Sequence, residues 1–232
     1  MKKTLWIAIA GALAASVIAA SAQEVLSANA VGYIKKTLPA NGKFIMVSIP
    51  LNSMTETETV FGRTSLAQEA PVNSVVYFWN TGLQQWDLGN KTSKGWGSVQ
   101  SNKVVLPGEG FFLKGAPTAV ENVDVTITGE VPDNNSLARA IPGSMAFGTV
   151  ANPYPVDFKF GESDLANNAS VNSVVYFWDE ANQQWALGNK TSKGWGSVQS
   201  NRVVLAGEGF FLKEAGTVTT WTNVRPYTWP HE

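Results

Sequence analysis

The sequence predicts an all-β protein, two tandem and homologous β-sandwich or small-barrel domains behind an export signal. Three observations predict it: a cationic, apolar and then small-residue N-terminus, a long block written twice, and short β-branched and aromatic runs divided by Gly, Pro and Asn. The N-terminus comes first. Met1-Lys2-Lys3 precedes an apolar stretch from Leu5 to Ile18 and the small residues Ala20-Ser21-Ala22. A short basic start, an apolar core and an A-x-A site are the parts of a cleaved secretory signal. The apolar run is shorter than the ~20 residues a membrane span needs. Residues 1–22 are therefore expected to be removed and the mature chain to begin at Gln23, secreted or held at the cell surface. No later stretch predicts a transmembrane segment.

The repeat is explicit. Asn73–Lys114 and Asn172–Lys213 align at an offset of 99 without a gap and share 35 of 42 residues. Upstream the offset becomes 103, pairing Pro39, Phe44, Val47 and Pro50 with Pro142, Phe147, Val150 and Pro153. Repetition on this scale means one supersecondary unit used twice. The predicted domains are 23–131 and 132–232. Identity is concentrated in the later block, which includes the polar stretch Gly89–Asn102. Either one block was copied onto the other or both copies keep the same surface.

Strands are predicted at Phe44–Ile49, Ser74–Trp79, Gln85–Leu88, Val104–Leu106, Phe111–Lys114 and Val123–Val131, and at their second-copy equivalents ending with Thr217–Val224. A helical turn is allowed near Leu165–Asn168. Val75–Trp79 and Phe111–Leu113 are apolar on both faces, so each needs a core on one side and a loop, second sheet or partner on the other. Pro107-Gly108 suits the middle of a type II turn, where Gly supplies positive φ. Val31–Ile34 is a strand that two closed units do not require, and a surplus edge can pair with another chain.

The set Ser27–Ile34 (SANAVGYI), Asn152-Pro153-Tyr154-Pro155, Tyr176–Trp185 (YFWDEANQQW), Pro107–Lys114 (PGEGFFLK) and Ile127–Val131 (ITGEV) resembles uncharacterised secreted β-repeat proteins of Verrucomicrobia-like bacteria. The resemblance implies export and β architecture and brings no activity with it. The first copy departs from the NPYP pattern, reading Ile49-Pro50-Leu51-Asn52.

Catalytic chemistry has little to stand on. The chain has no cysteine and a single histidine, His231, which removes thiolate chemistry and any Ser-His-Asp set. Within the duplicated block the only acid kept in both copies is Glu109/Glu208, inside the G-E-G turn. No nucleotide-binding or zinc-protease motif is present. The expectation is no enzyme, no cofactor and no metal. The mature chain carries 15 basic and 18 acidic groups, a formal −3, which lacks the basic footprint of a nucleic-acid binder.

Charge is nevertheless uneven. Leu88–Gly108 contains Lys91, Lys94 and Lys103 and no acid, and Leu187–Gly207 contains Lys190, Lys193 and Arg202 and no acid. Trp96 and Trp195 sit in Gly-Trp-Gly within those stretches, as exposed contacts or as anchors that pin the loop. These eight residues form the predicted binding or assembly surface. Its partner is expected to be a second copy of the chain, making a self-associating structural protein of the cell surface or matrix. The alternative is a carbohydrate-binding module that takes an anionic polysaccharide at two equivalent sites.

Overall fold

The computed structural model describes residues 30–228, so the expected leader and His231 lie outside the described residues. The first half contains β1 (Val31–Leu38), β2 (Phe44–Ser48), α1 (Ser65–Glu69), β3 (Val75–Asn80), β4 (Gln85–Thr92), β5 (Gly95–Trp96), α2 (Ser98–Ser101), β6 (Gly110–Lys114) and β7 (Val123–Glu130). The second contains β8 (Ser136–Ile141), β9 (Phe147–Ala151), β10 (Phe158–Lys159), α3 (Asp164–Asn168), β11 (Val174–Asp179), β12 (Gln184–Asn189), α4 (Ser197–Ser200), β13 (Val203–Val204), β14 (Gly209–Lys213) and β15 (Thr219–Val224). Strands dominate and every ladder is antiparallel. The protein is all-β.

Each half repeats one plan. The first has a sheet of order β2-β6-β3-β4-β5 and a separate ribbon β1-β7; the second has β9-β14-β11-β12 and the ribbon β8-β15. Ribbon and sheet share a core. Leu38, Val125 and Ile127 of the first ribbon pack with Ile45, Val47, Val76, Phe78, Phe111 and Leu113 of the sheet. Ile141 and Trp221 do the same over Val150, Val175, Phe177, Phe210 and Leu212. Among the described residues no sheet closes on itself, which is the sandwich form rather than the barrel. The first short helix in each half, α1 or α3, is started by a side chain: Thr64 accepts a bond from the Ala67 amide, and Ser163 from the Ala166 amide, an arrangement that satisfies an otherwise orphaned donor.

The surplus strand has a home. Val31–Leu38 pairs with Val123–Glu130 along its whole length, so it belongs to the first half rather than waiting for another chain. Its counterpart is β8, paired with β15. Ser136–Ile141 was not legible as a strand because SLARAI has only two β-branched or large apolar residues. Val104–Leu106 is also corrected: only Val104 makes a bridge there, to Val60.

The two-faced strands explain how the halves meet. Alternation along β2, β3 and β6 sends Ile45, Val76 and Phe111 inward and Met46, Tyr77, Trp79 and Phe112 to the opposite face. There they meet Phe147, Tyr176, Trp178, Trp185 and Phe211 of the second half. Phe112 lies 5.1 Å from Trp178 and 5.5 Å from Trp185, and Phe211 lies 5.5 Å from both Trp79 and Trp86. Edge-to-face contacts of this kind add to what burial alone contributes. Trp79 and Trp178 are thus equivalently placed, half-buried between the halves rather than inside either half's own core.

The exchange is reciprocal at the backbone as well. Trp79 Nε1 donates to the Phe147 carbonyl and Trp178 Nε1 to the Phe44 carbonyl, at 2.9 and 3.0 Å. Gln84 pairs through its amide with both backbone groups of Phe147, and Gln183 does so with Phe44. These contacts close one end of the outer edges of β2 and β9, and the Ser48 and Ala151 amides close the other by bonding to the Gly207 and Gly108 carbonyls. At the centre, a Cβ on Gly110 would sit 3.1 Å from the Gly209 Cα, and one on Gly209 would sit 3.0 Å from the Gly110 Cα. Only glycine lets β6 and β14 cross so closely. A self-complementary face constrains both copies alike, because its phenylalanines and tryptophans each touch rings from their own copy and from the other, while Tyr77 and Tyr176 buttress them from within each copy.

Candidate assembly and binding surfaces

The eight residues expected to form a working surface divide into four pairs. Lys91 and Lys190 face inward. Lys91 Nζ donates to the carbonyls of Ala67, Gln68 and Ala70 at 2.9, 2.6 and 2.6 Å. Lys190 Nζ donates to Ala166, Asn167 and Ala169 at 2.8, 2.7 and 2.7 Å. The last carbonyls of a helix have no internal partner, and a cation there also meets the negative end of the helix. Each lysine therefore closes the C-terminal end of α1 or α3. Desolvation pulls both ammonium groups below the usual lysine range, and Glu214 partly opposes this at Lys190.

Trp96 and Trp195 are anchors. Their indole N–H groups donate to Ala67 and Ala166, each at 2.8 Å. Their rings stand edge-on to Phe61 and Phe160 at 5.2 and 5.1 Å. Lys103 lies 3.4 Å from Glu109, and Arg202 lies 2.5 Å from Glu208. Of the eight, Lys94 and Lys193 alone are exposed at hairpin tips, beside Gly95 and Gly194 in the left-handed region at φ +99° and +95°.

The polar stretch is thus a fitted part of each half. Gln100 Nε2 donates to the Leu88 carbonyl at 2.8 Å, and its side chain fills the place where a Cβ on Gly89 would fall, 2.4 Å away. Core packing extends into residues that read as solvated loop.

Two clefts open where the halves join. One, of about 330 Å³, is lined by Trp79, Asn80, Asp87, Lys103 and Glu109 of the first half and by Arg139 of the second. Its counterpart, of about 470 Å³, has Trp178, Asp179, Glu180, Arg202 and Glu208 on its walls. Lys36 on β1 faces those acids, feeling Glu208, Glu180 and Asp157, while its burial lowers its proton affinity. Arg139 is likewise pulled down by burial, with Glu109 opposing, and its guanidinium holds the Thr149 carbonyl at 2.9 Å. Lys36 and Arg139 escaped the sequence reading although they stand at the same 103-residue offset as Phe44 and Phe147. The glutamates are turn residues: Glu109 Oε2 accepts from the Leu106 amide and Glu208 Oε2 from the Leu205 amide, both at 3.0 Å. Gly108 and Gly207 hold the expected positive φ, +74° and +71°.

The strand edges are the third surface. The Val131 amide bonds to the Ala30 carbonyl, which fixes the phase of the β1-β7 ladder and turns the outer backbone groups of β7 at Thr126, Thr128 and Glu130 away from β1. All three are occupied: Thr126 by Glu69 Oε2 at 2.5 Å, Thr128 by Ser65 Oγ at 2.9 Å, and Glu130 by Asn52. On β1 the outward groups are those of Val31, Tyr33, Lys35 and Thr37, and their amides meet no described residue. Val31 and Tyr33 are also 64% and 78% exposed.

No protein-family model, curated protein or solved structure matches the chain. Among the described residues, no group of His, Cys, Asp or Glu could hold a metal ion, and no helix is long and apolar enough to cross a membrane. The fold and its surfaces define an all-β protein of two interlocked repeats.

Proposed function

We propose that this is a non-enzymatic exported protein of the cell surface or extracellular matrix that associates with copies of itself through its β-repeats. The observation that carries the reading is the uneven treatment of strand edges. The edges of β2, β9 and β7 are closed at most of their outward positions by side chains and turns, whereas β1 presents four successive outward amides with no described partner. Open edges are templates for pairing, and proteins that remain monomeric usually block them. The aromatic faces and most of the loop cations are already used within the chain, which leaves few other means of association. A dilution series followed by light scattering, with negative-stain microscopy of the concentrated sample, tests the reading. Growth beyond the monomer with rising concentration supports it, and a single monomeric mass throughout contradicts it.

One observation favours the second reading, carbohydrate binding. Each cleft at the junction offers an indole edge beside amide and carboxylate groups, a mixture suited to sugar hydroxyls. The charges in the clefts are balanced or acidic, so a neutral glycan fits them better than an anionic one. Retention on neutral polysaccharide by affinity electrophoresis, lost in Asn80→Ala with Asp179→Ala, is its test.

A further inference from the structure

The two ribbons differ in one respect that the shared plan does not require. In the second half the Arg225 amide bonds to the Asn135 carbonyl, which turns the Thr220, Thr222 and Val224 amides of β15 outward. None of the three meets a described residue. Thr220 matches Asp124, whose amide likewise meets no described residue, but the first half closes the matches of Thr222 and Val224, and Glu130 beyond them, with Glu69, Ser65 and Asn52. By the repeat offsets their counterparts are Asn168, Asp164 and Pro155. Pro155 has no amide to give, and the position matching Glu130 is Pro226, which has none either. The two bonds that join Asn52 to Glu130 thus have no equivalent in the second half.

Space follows the same asymmetry. Beside β15 lies a groove of about 440 Å³, lined by Phe158, Asp164, Trp221, Thr222 and Val224 among others. The corresponding space in the first half, against Ser65 and Thr128, is about 230 Å³ and is filled out by the longer loop after Pro50. The groove also carries Asp157 and Glu162 against a single base, Lys159, which is paired with Glu162 at 2.9 Å. The exposed side of β15 is uncharged, reading Thr220, Thr222 and Val224, and lacks the lysine or bulge that blunts edges elsewhere.

We propose that the outer edge of β15 is an acceptor for the outer edge of β1 from a second copy, a deepening that rests on the self-association reading. Both edges present alternate unpaired amides and carbonyls, over eight residues in β1 and six in β15. β1 brings Lys35, which pairs with Asp124 at 2.6 Å within its own chain and stays exposed, toward the acidic groove, while Lys36 remains in the cleft of its own copy. The contact joins two different surfaces, so it does not close on itself as a symmetric dimer does. It leaves a free β1 at one end and a free β15 at the other, and repetition builds a linear polymer.

Sedimentation velocity on the exported, processed protein tests this with wild type, Tyr33→Pro and Thr222→Pro. Both substituted amides point outward, so proline removes no bond within the chain. Wild type is expected to form an open-ended series of species as concentration rises. Each variant alone is expected to lose association at least tenfold. A one-to-one mixture should stop at dimers, because one variant keeps the acceptor and the other the donor. If a proline variant loses its far-UV signal, the pair Thr220→Lys with Thr222→Lys decides in its place: these side chains are exposed and set like charge against Lys35. Wild-type assembly that survives in every folded variant overturns this contact and leaves self-association standing through a surface other than these edges, and loss in Tyr33→Pro with Thr222→Pro assembling as wild type overturns it in favour of a symmetric β1–β1 pairing. A mixture that remains monomeric overturns the contact as well. Wild type that stays monomeric at every concentration overturns the self-association reading itself.

Discussion

Phe112 and Phe211 test whether the two halves are held by their shared aromatic face. Phe112 is 6% exposed and its ring lies within 5.8 Å of Phe44, Trp86, Trp178 and Trp185, centroid to centroid, two from each half. Phe211 is 3% exposed and lies within 5.6 Å of Trp79, Trp86, Phe147 and Trp185. Truncating a buried Phe to Ala removes its transfer free energy and leaves a cavity, about 3–5 kcal/mol together. The two environments are near copies, so Phe112→Ala and Phe211→Ala should cost the same to within about 1 kcal/mol. With a urea slope of about 2 kcal/mol per molar, either variant should lower the unfolding midpoint by roughly 1.5–2.5 M. Both rings touch tryptophans of both halves, so the fluorescence change should remain a single transition. A loss below about 0.5 kcal/mol at both sites, the scale of ordinary surface changes, would refute the reasoning. A transition that splits in the wild type would show that the halves unfold independently and that the face contributes little.

Three further outcomes follow from named contacts. Lys91→Met and Lys190→Met should each cost about 1–3 kcal/mol, since three carbonyls lose a charged donor in each case; urea titration reads this, and no effect at either site would return these lysines to the pool of free cations. The Tyr227 hydroxyl donates to the Pro132 carbonyl at 2.7 Å, and desolvation, with Tyr154 adding to it, pushes its pKa up to about 12. A raised folded-state pKa contributes stability that is full below the unfolded value near 10 and is lost as pH climbs through the folded one. Stability should therefore fall between about pH 10 and 12, and Tyr227→Phe should flatten that fall in pH-dependent unfolding; an identical slope in the variant would contradict the assignment. Intact-mass measurement of exported protein should give a chain starting at Gln23, and retention of Trp6 would contradict the leader.

The fold class was legible because β-branched and aromatic runs punctuated by Gly and Pro leave few alternatives, and the type II turn at Pro107-Gly108 was legible from its two central residues alone. The double-sided apolarity of β3 and β6 announced a second layer without saying what supplied it. The answer depends on a crossing at Gly110 and Gly209, and in a sequence these look like ordinary turn glycines. The loop residues were misjudged for a related reason. Lys91 in a polar stretch reads as a free cation, since nothing local reveals that its ammonium reaches carbonyls more than twenty positions earlier. Trp96 was left open between contact and anchor, and the carbonyl of Ala67 with the ring of Phe61 decided it. β8 was missed because its ladder to β15 outweighs the weak strand preference of Ala138 and Ala140. The open edge of β15 was invisible until β7 supplied the comparison, although Pro155 and Pro226 stood in the sequence as the residues that cannot close it.

Amide hydrogen exchange at Thr220, Thr222 and Val224, read by NMR at low and high protein concentration, addresses the central claim most directly. In the monomer these amides point outward and should exchange as exposed groups. On assembly they should become protected together with the outward amides of Tyr33, Lys35 and Thr37, while the amides of Thr126 and Thr128, already bonded within the chain, change little. Assembly that leaves all six outward amides exchanging at their dilute rates would contradict pairing through these edges.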